Sequence, residues 1–147
     1  MTQRSVQHNT FTLERTYAAP LASVFAAWSE RDTKAKWFAE DDDRYSLDFR
    51  IGGTETVHGG DEVGLVARSE YHDIVTDERI VYTTALFAGD ALATVSLTTV
   101  QFTSAGDQTH LILTEQGTFL DERELPAWRE QGTGDWLDAL GRQLDRP

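Results

Sequence analysis

The chain has no cysteine. That excludes disulfides, thiolate nucleophiles and thiolate metal sites, and it suits a reducing compartment. Basic residues are scarce: 13 Lys and Arg against 25 Asp and Glu leave a formal charge of −12. Such a surface repels polyphosphate, which argues against a nucleic-acid partner, and it disfavours anionic membranes for the same reason. No apolar run approaches the roughly 18 residues needed to span a bilayer. Met1–Thr10 lacks the basic-then-apolar pattern of a secretion signal, so the cytoplasm is the expected location. Prolines number three, and no linker, repeat or low-complexity stretch divides the sequence. The 147 residues therefore read as one domain, 1–147, with 1–9 as a flexible tail. Glu40-Asp41-Asp42-Asp43 is the one dense acidic cluster and reads as a solvated loop.

What is present is mostly alternation. Phe11, Leu13, Arg15 and Tyr17 alternate with Thr12, Glu14 and Thr16 as a first strand. Pro20 is suited to a helix start, and Leu21, Val24, Phe25 and Trp28 make one helical face. Asp32 is placed to cap a second short helix carrying Ala35, Trp37 and Phe38. From Arg44 the period returns to two: Tyr45, Leu47, Phe49 and Ile51 fall on one face of a strand that Gly52-Gly53 breaks. Strands are then expected over Thr54–Val57, Val63–Val75, Arg79–Phe87, Leu92–Phe102 and Gln108–Gln116, with turns between them, His58–Asp61 included. The apolar parity changes between Val95/Leu97 and Val100/Phe102, which suggests a bulge there that curves the sheet. Pro126 argues against a long helix in Thr118–Gln131; from Thr133, the residues Trp136, Leu137, Leu140 and Leu144 mark a final helical face. A long meander with one face to bury calls for one amphipathic helix as its cover. A single helix cannot fill the concave side of a curved sheet, and the gap is where a ligand could sit.

Four stretches, in this order and spacing, resemble a known family. They are Glu14–Pro20 leading into Val24–Trp28 and Trp37; Ile51-Gly52-Gly53; Glu70–Ile74 running into Asp77–Thr83; and Thr109–Thr114 before Gly134–Leu137. Together they resemble the START-like, helix-grip or SRPBCC superfamily, in the branch named after the activator of heat-shock-protein ATPase, over roughly residues 11–144. The resemblance implies an α+β helix-grip fold: a curved six- to seven-stranded antiparallel sheet wrapped around a long C-terminal helix, with two short helices after strand 1. It also implies a cavity between sheet and helix, which in relatives serves lipid transport, hormone binding or polyketide cyclisation. The namesake's stimulation of a chaperone ATPase does not follow from fold alone. The Asp between Gly134 and Trp136 departs from the branch pattern.

The cavity candidates are Trp37, Tyr45, Phe49, His58, His72, Tyr82, Trp128, Trp136 and Leu140. Trp28 and Trp37 also read as plain core. Tyrosines on strands can turn a hydroxyl inward, Tyr71 less so than Tyr45 and Tyr82. The four histidines have no metal-ligand spacing, so no metal and no cofactor is expected, and no catalytic group is assigned. Glu55, Glu70 and Glu115 are strand-embedded acids expected on outer or edge faces; a buried one would mark a site. No nucleophile triad can be argued, and Gly52-Gly53 and Gly59-Gly60 precede no helix and form no phosphate loop. Three functions remain open. The first is a binding module for an apolar or amphipathic small molecule. The second is a cyclase- or dehydratase-type enzyme using His58, His72 or a Tyr as acid/base. The third is a protein-interaction module, chaperone partner included, marked by an exposed apolar patch. Homodimerisation through a sheet edge is open in all three.

Overall fold

The computed structural model describes residues 3–59 and 64–145. Seven strands form one antiparallel sheet: β1 (Val6–Tyr17), β2 (Ser46–Leu47), β3 (Thr54–Gly59), β4 (Leu65–Val75), β5 (Arg79–Ala88), β6 (Ala91–Ala105) and β7 (Gln108–Leu120). Their spatial order is β1-β7-β6-β5-β4-β3-β2. Between β1 and β2 lie α1 (Leu21–Ser29) and α2 (Arg31–Phe38), and α3 (Pro126–Leu144) ends the described chain. This is the helix-grip arrangement.

The core lies where the helices cover the middle of the sheet. Val24, Phe25 and Trp28 of α1 meet Ile80, Val100, Phe102, Leu111 and Leu113 of the strands and Leu137 and Leu140 of α3, all buried. Phe102 meets Phe25 and Trp28 edge-on, with centroids 5.3 and 6.2 Å apart. Tyr17 fastens β1 to α3 by donating its hydroxyl hydrogen to Leu137 O at 2.8 Å.

Several expectations are corrected. β1 starts at Val6, which pairs with Leu120, so strand structure reaches into the stretch expected to be a tail. α2 is capped by the backbone of Glu30, not by Asp32, and no side chain bonds the cap. The strand expected over Tyr45–Ile51 shrinks to Ser46–Leu47; Gly53 N bonds back to Arg50 O, and Ile51 is 61% exposed. β3 continues through His58 to Gly59, while 60–61, the remainder of that expected turn, and Val63, the expected start of the next strand, lie outside the described residues. Pro126 does not interrupt a helix but begins one; its missing N–H is no loss at a first helical position.

The bulge in β6 also moves. Leu86 pairs with Thr94 and Phe87 with Leu92, leaving Ala93 without a β5 partner. Beyond it the inward face is unbroken: Thr94, Ser96, Thr98, Val100 and Phe102 are buried, while Val95 and Leu97 point out. The parity change was one of chemistry, not of direction: hydroxyl residues occupy the buried face at one end of the strand and apolar residues at the other. A second register shift, between Tyr71 and Asp73, leaves His72 unpaired in β4.

Candidate functional site

The buried hydroxyl face of β6 lies near the first turns of α3, where Arg129 reaches Ser96 Oγ at 3.2 Å. Two consecutive residues with positive φ, Asp121 (55°) and Glu122 (56°), turn the chain from β7 toward α3. The Asp121 carboxylate holds this turn by accepting from Ser5 N (2.8 Å), Arg4 (3.0 Å) and Arg123 (2.8 Å). The Ser5 N–H first, then the two guanidinium groups, hold its carboxyl below the usual carboxylate range. The turn delivers Glu124 and, one helical turn on, Trp128 and Arg129.

There a cleft of about 510 Å³ opens between α2, α3 and the inner faces of β3, β4, β5 and β7. Trp37 and Phe38 of α2 form one wall, and Trp128, Thr133 and Trp136 of α3 another. Ala67, Ser69, Tyr82 and Thr84 line the sheet side, with His58 at the β3 margin. Trp136 leans on Phe38, their rings 4.5 Å apart. Trp128 is 61% exposed and Trp136 37%, so both indoles stand partly in solvent.

At one end Arg129, almost fully buried, joins two carboxylates. It donates to Glu115 at 3.0 Å and to both oxygens of Glu124 at 2.9 and 3.0 Å, and to Ser96 Oγ at 3.2 Å. Thr98 donates to Glu115 at 3.0 Å and Thr94 to Glu124 at 2.6 Å. The Thr94 and Thr98 hydroxyls of β6 thus serve the carboxylates, and that of Ser96 accepts from the guanidinium.

A second charged cluster lies beside the cleft rather than in its wall. Lys34 of α2 is fully buried and donates to Glu55 at 2.6 Å and to the Tyr71 hydroxyl at 3.4 Å. Tyr45 donates to the same Glu55 oxygen. The Lys34 ammonium lies over Phe38 at 4.4 Å and near Trp28 at 5.2 Å, where ring faces attract a cation. Burial lowers the Lys34 pKa from its ordinary value, and Glu55 opposes the shift. Burial likewise pushes the Tyr45, Tyr71 and Tyr82 hydroxyls well above theirs, with Glu55 adding to it for the first two and Glu115 for Tyr82.

Of the nine cavity candidates, five line the cleft: Trp37, His58, Tyr82, Trp128 and Trp136. Four do not. Tyr45 is committed to Glu55. Phe49 packs in the core against Phe25 and Tyr71, at 5.9 and 5.0 Å. Leu140 is fully buried core, because the lower half of α3 lies tight on α1 and the sheet. His72 points outward from its bulge, 44% exposed, with Nε2 2.8 Å from Thr83 Oγ1. Glu55 and Glu115, expected on outer faces, are buried, and only Glu70 is exposed. Lys34, Arg129 and Glu124 escaped the sequence reading. The signal available for Glu115 was its place in strand alternation, since Leu111, Leu113 and Glu115 share one parity. Nothing comparable marked Lys34, whose helix has a polar average composition. Among the described residues no cluster of His, Asp or Glu is placed to hold a metal, and no helix is long and apolar enough to cross a membrane.

Comparison with known proteins agrees with this geometry. The family described as activator of Hsp90 ATPase homolog 1-like proteins matches residues 18–145. The chain belongs to this family. Its START-like character, read from Glu14–Pro20 onward, is thereby shown. Among solved structures, members of similar build include a protein from Rhizobium leguminosarum, 39% identical, covering 99% of this chain and 100% of that one with a TM-score of 0.93. The Mll3558 protein from Rhizobium loti is also 39% identical, covering 95% and 99%, with a TM-score of 0.90. CalU16 from Micromonospora echinospora shares the fold at 21% identity, covering 97% and 85%, with a TM-score of 0.68. No curated protein matches.

Proposed function

We propose that this domain binds one small, largely apolar molecule in the cleft between α3 and the sheet. The observation that carries the reading is the cleft itself: about 510 Å³, within the range of small-molecule sites, which are mostly apolar with a few convergent polar groups. Aromatic walls from Trp37, Phe38, Tyr82 and Trp136 supply large contact area, and one buried polar cluster at the end supplies orientation. The family match supports a binding role for this kind of fold, since the helix-grip arrangement leaves a space that one helix cannot fill.

The test is a titration with Nile red, a neutral dye that brightens in apolar surroundings. Ala67 faces the cleft from near the start of β4. Saturable brightening is expected at one dye per chain, and Ala67→Trp, which puts an indole into the cleft, should weaken it strongly while the far-UV circular dichroism stays unchanged. Dye binding that survives Ala67→Trp undiminished would place the apolar site elsewhere and refute the reading.

A further inference from the structure

The cleft as a whole has a sign. Two cations, Lys36 and Arg129, face it with four carboxylates, Glu40, Glu115, Glu124 and Asp135, a formal balance of −2. The hydrogen-bond inventory leans the same way. A guanidinium carries five N–H donors, and Arg129 uses four of them within the cluster, on Glu115, Ser96 and Glu124. Each carboxylate oxygen can accept about two hydrogen bonds. Glu115 receives one on each oxygen, from Thr98 and Arg129. Glu124 receives two on Oε1, from Thr94 and Arg129, and one on Oε2. Among the described residues the two carboxylates keep three open acceptor positions, against one open N–H on Arg129 and the Ser96 hydroxyl hydrogen. Arg129, which looks like an anion receptor, is already spent on internal carboxylates.

The walls suit the same charge. Indole faces attract cations, and Trp128 and Trp136 stand partly exposed in the cleft wall.

Resting on the binding reading above, we infer that the cleft selects an amphipathic organic cation: an apolar or aromatic body carrying a protonated amine whose N–H groups meet Glu115 and Glu124. A carboxylate or phosphate on the same body would meet two carboxylates and a guanidinium with a single N–H left to give. A neutral hydroxyl would gain a hydrogen bond but not the charge assistance, which roughly doubles the strength of such a bond.

The experiment is isothermal titration calorimetry of the full chain with three probes on one skeleton: phenylbutylamine, phenylbutanol and phenylbutanoate. Salt at about 0.15 M screens the general surface charge. The amine should bind about tenfold tighter than the alcohol, and the acid weakest of the three. Glu124→Gln should pull the amine-to-alcohol ratio toward one. Should Glu124→Gln fail to fold, Asp135→Asn, at an exposed position beside Trp136, should lower the ratio in the same direction. Equal binding of amine and alcohol, tighter binding of the acid, or a ratio unmoved by the folded variants would overturn the inference and leave the cleft reading standing. Binding of none of the three would overturn both.

Discussion

Lys34 shows what a single residue can cost and supply. A fully buried ammonium is tolerated because Glu55 sits 2.6 Å away and ring faces surround it. Removing one partner strands the other charge, a loss of about 3–5 kcal/mol. Urea denaturation of Lys34→Ala should show a drop of that size. Lys34→Met combined with Glu55→Leu should recover much of it, since apolar replacement of a whole buried pair is often neutral. A double variant no more stable than the single one would mean that the pair stabilises beyond its charges. All four tyrosines of the chain, Tyr17, Tyr45, Tyr71 and Tyr82, are held above the ordinary phenol value by burial. A group raised in the folded state contributes stability that is complete below its unfolded pKa, near 10, and is lost as pH rises beyond it. Absorbance at 295 nm should therefore stay flat in the folded protein up to about pH 11 and then rise for all four as the chain unfolds. In urea the same rise should centre near pH 10. A stepwise rise in the folded protein would show at least one hydroxyl in water.

At the level of elements, α3 was the hardest to read and the reason is local. Three glycines, Gly132, Gly134 and Gly141, lie inside a 19-residue helix that opens on Pro126, and each weakens the sequence signal for a helix. The structure explains two of them differently. At Gly141 an added Cβ would lie 3.3 Å from the Tyr17 ring, so the glycine lets β1 and α3 approach. At Gly132 a Cβ would meet nothing within 4 Å. Gly132→Ala should raise stability by about 0.5–1 kcal/mol through helix propensity and the unfolded chain, whereas Gly141→Ala should gain nothing. Thermal melts compare them, and a Gly132→Ala that destabilises would refute the helical reading at that position. The strands were more legible, because period-two alternation reports which side faces the core. It misled in β6, where Thr94, Ser96 and Thr98 are buried for their hydroxyls, and in the loop after β2, where Ile51 keeps the parity of a strand but not the backbone.

Across the whole molecule, the fold could be read from spacing while only part of the site could. Trp37, Tyr82 and Trp136 were visible as large aromatics on expected elements, and Trp128 as an aromatic in a stretch without a clear period. Lys34, Arg129 and Glu124 were not, because nothing in one sequence says that a charged residue is buried until its partner, 21 positions away for Lys34 and Glu55, is brought beside it. The central claim is that ligands enter between α2, α3 and the sheet, and the four indoles make it directly testable. Trp37, Trp128 and Trp136 line the cleft. Trp28 lies in the core, its Nε1 buried without a hydrogen-bond partner among the described residues. Each indole N–H gives a separate peak in a ¹H–¹⁵N correlation spectrum, recorded while the phenylbutyl probes are titrated in. The account predicts the largest shifts at Trp128 and Trp136, a smaller one at Trp37, whose N–H is held by Ala27 O at 3.0 Å, and the least at Trp28. Equal shifts at Trp28, or four unmoved indoles with every probe, would contradict it.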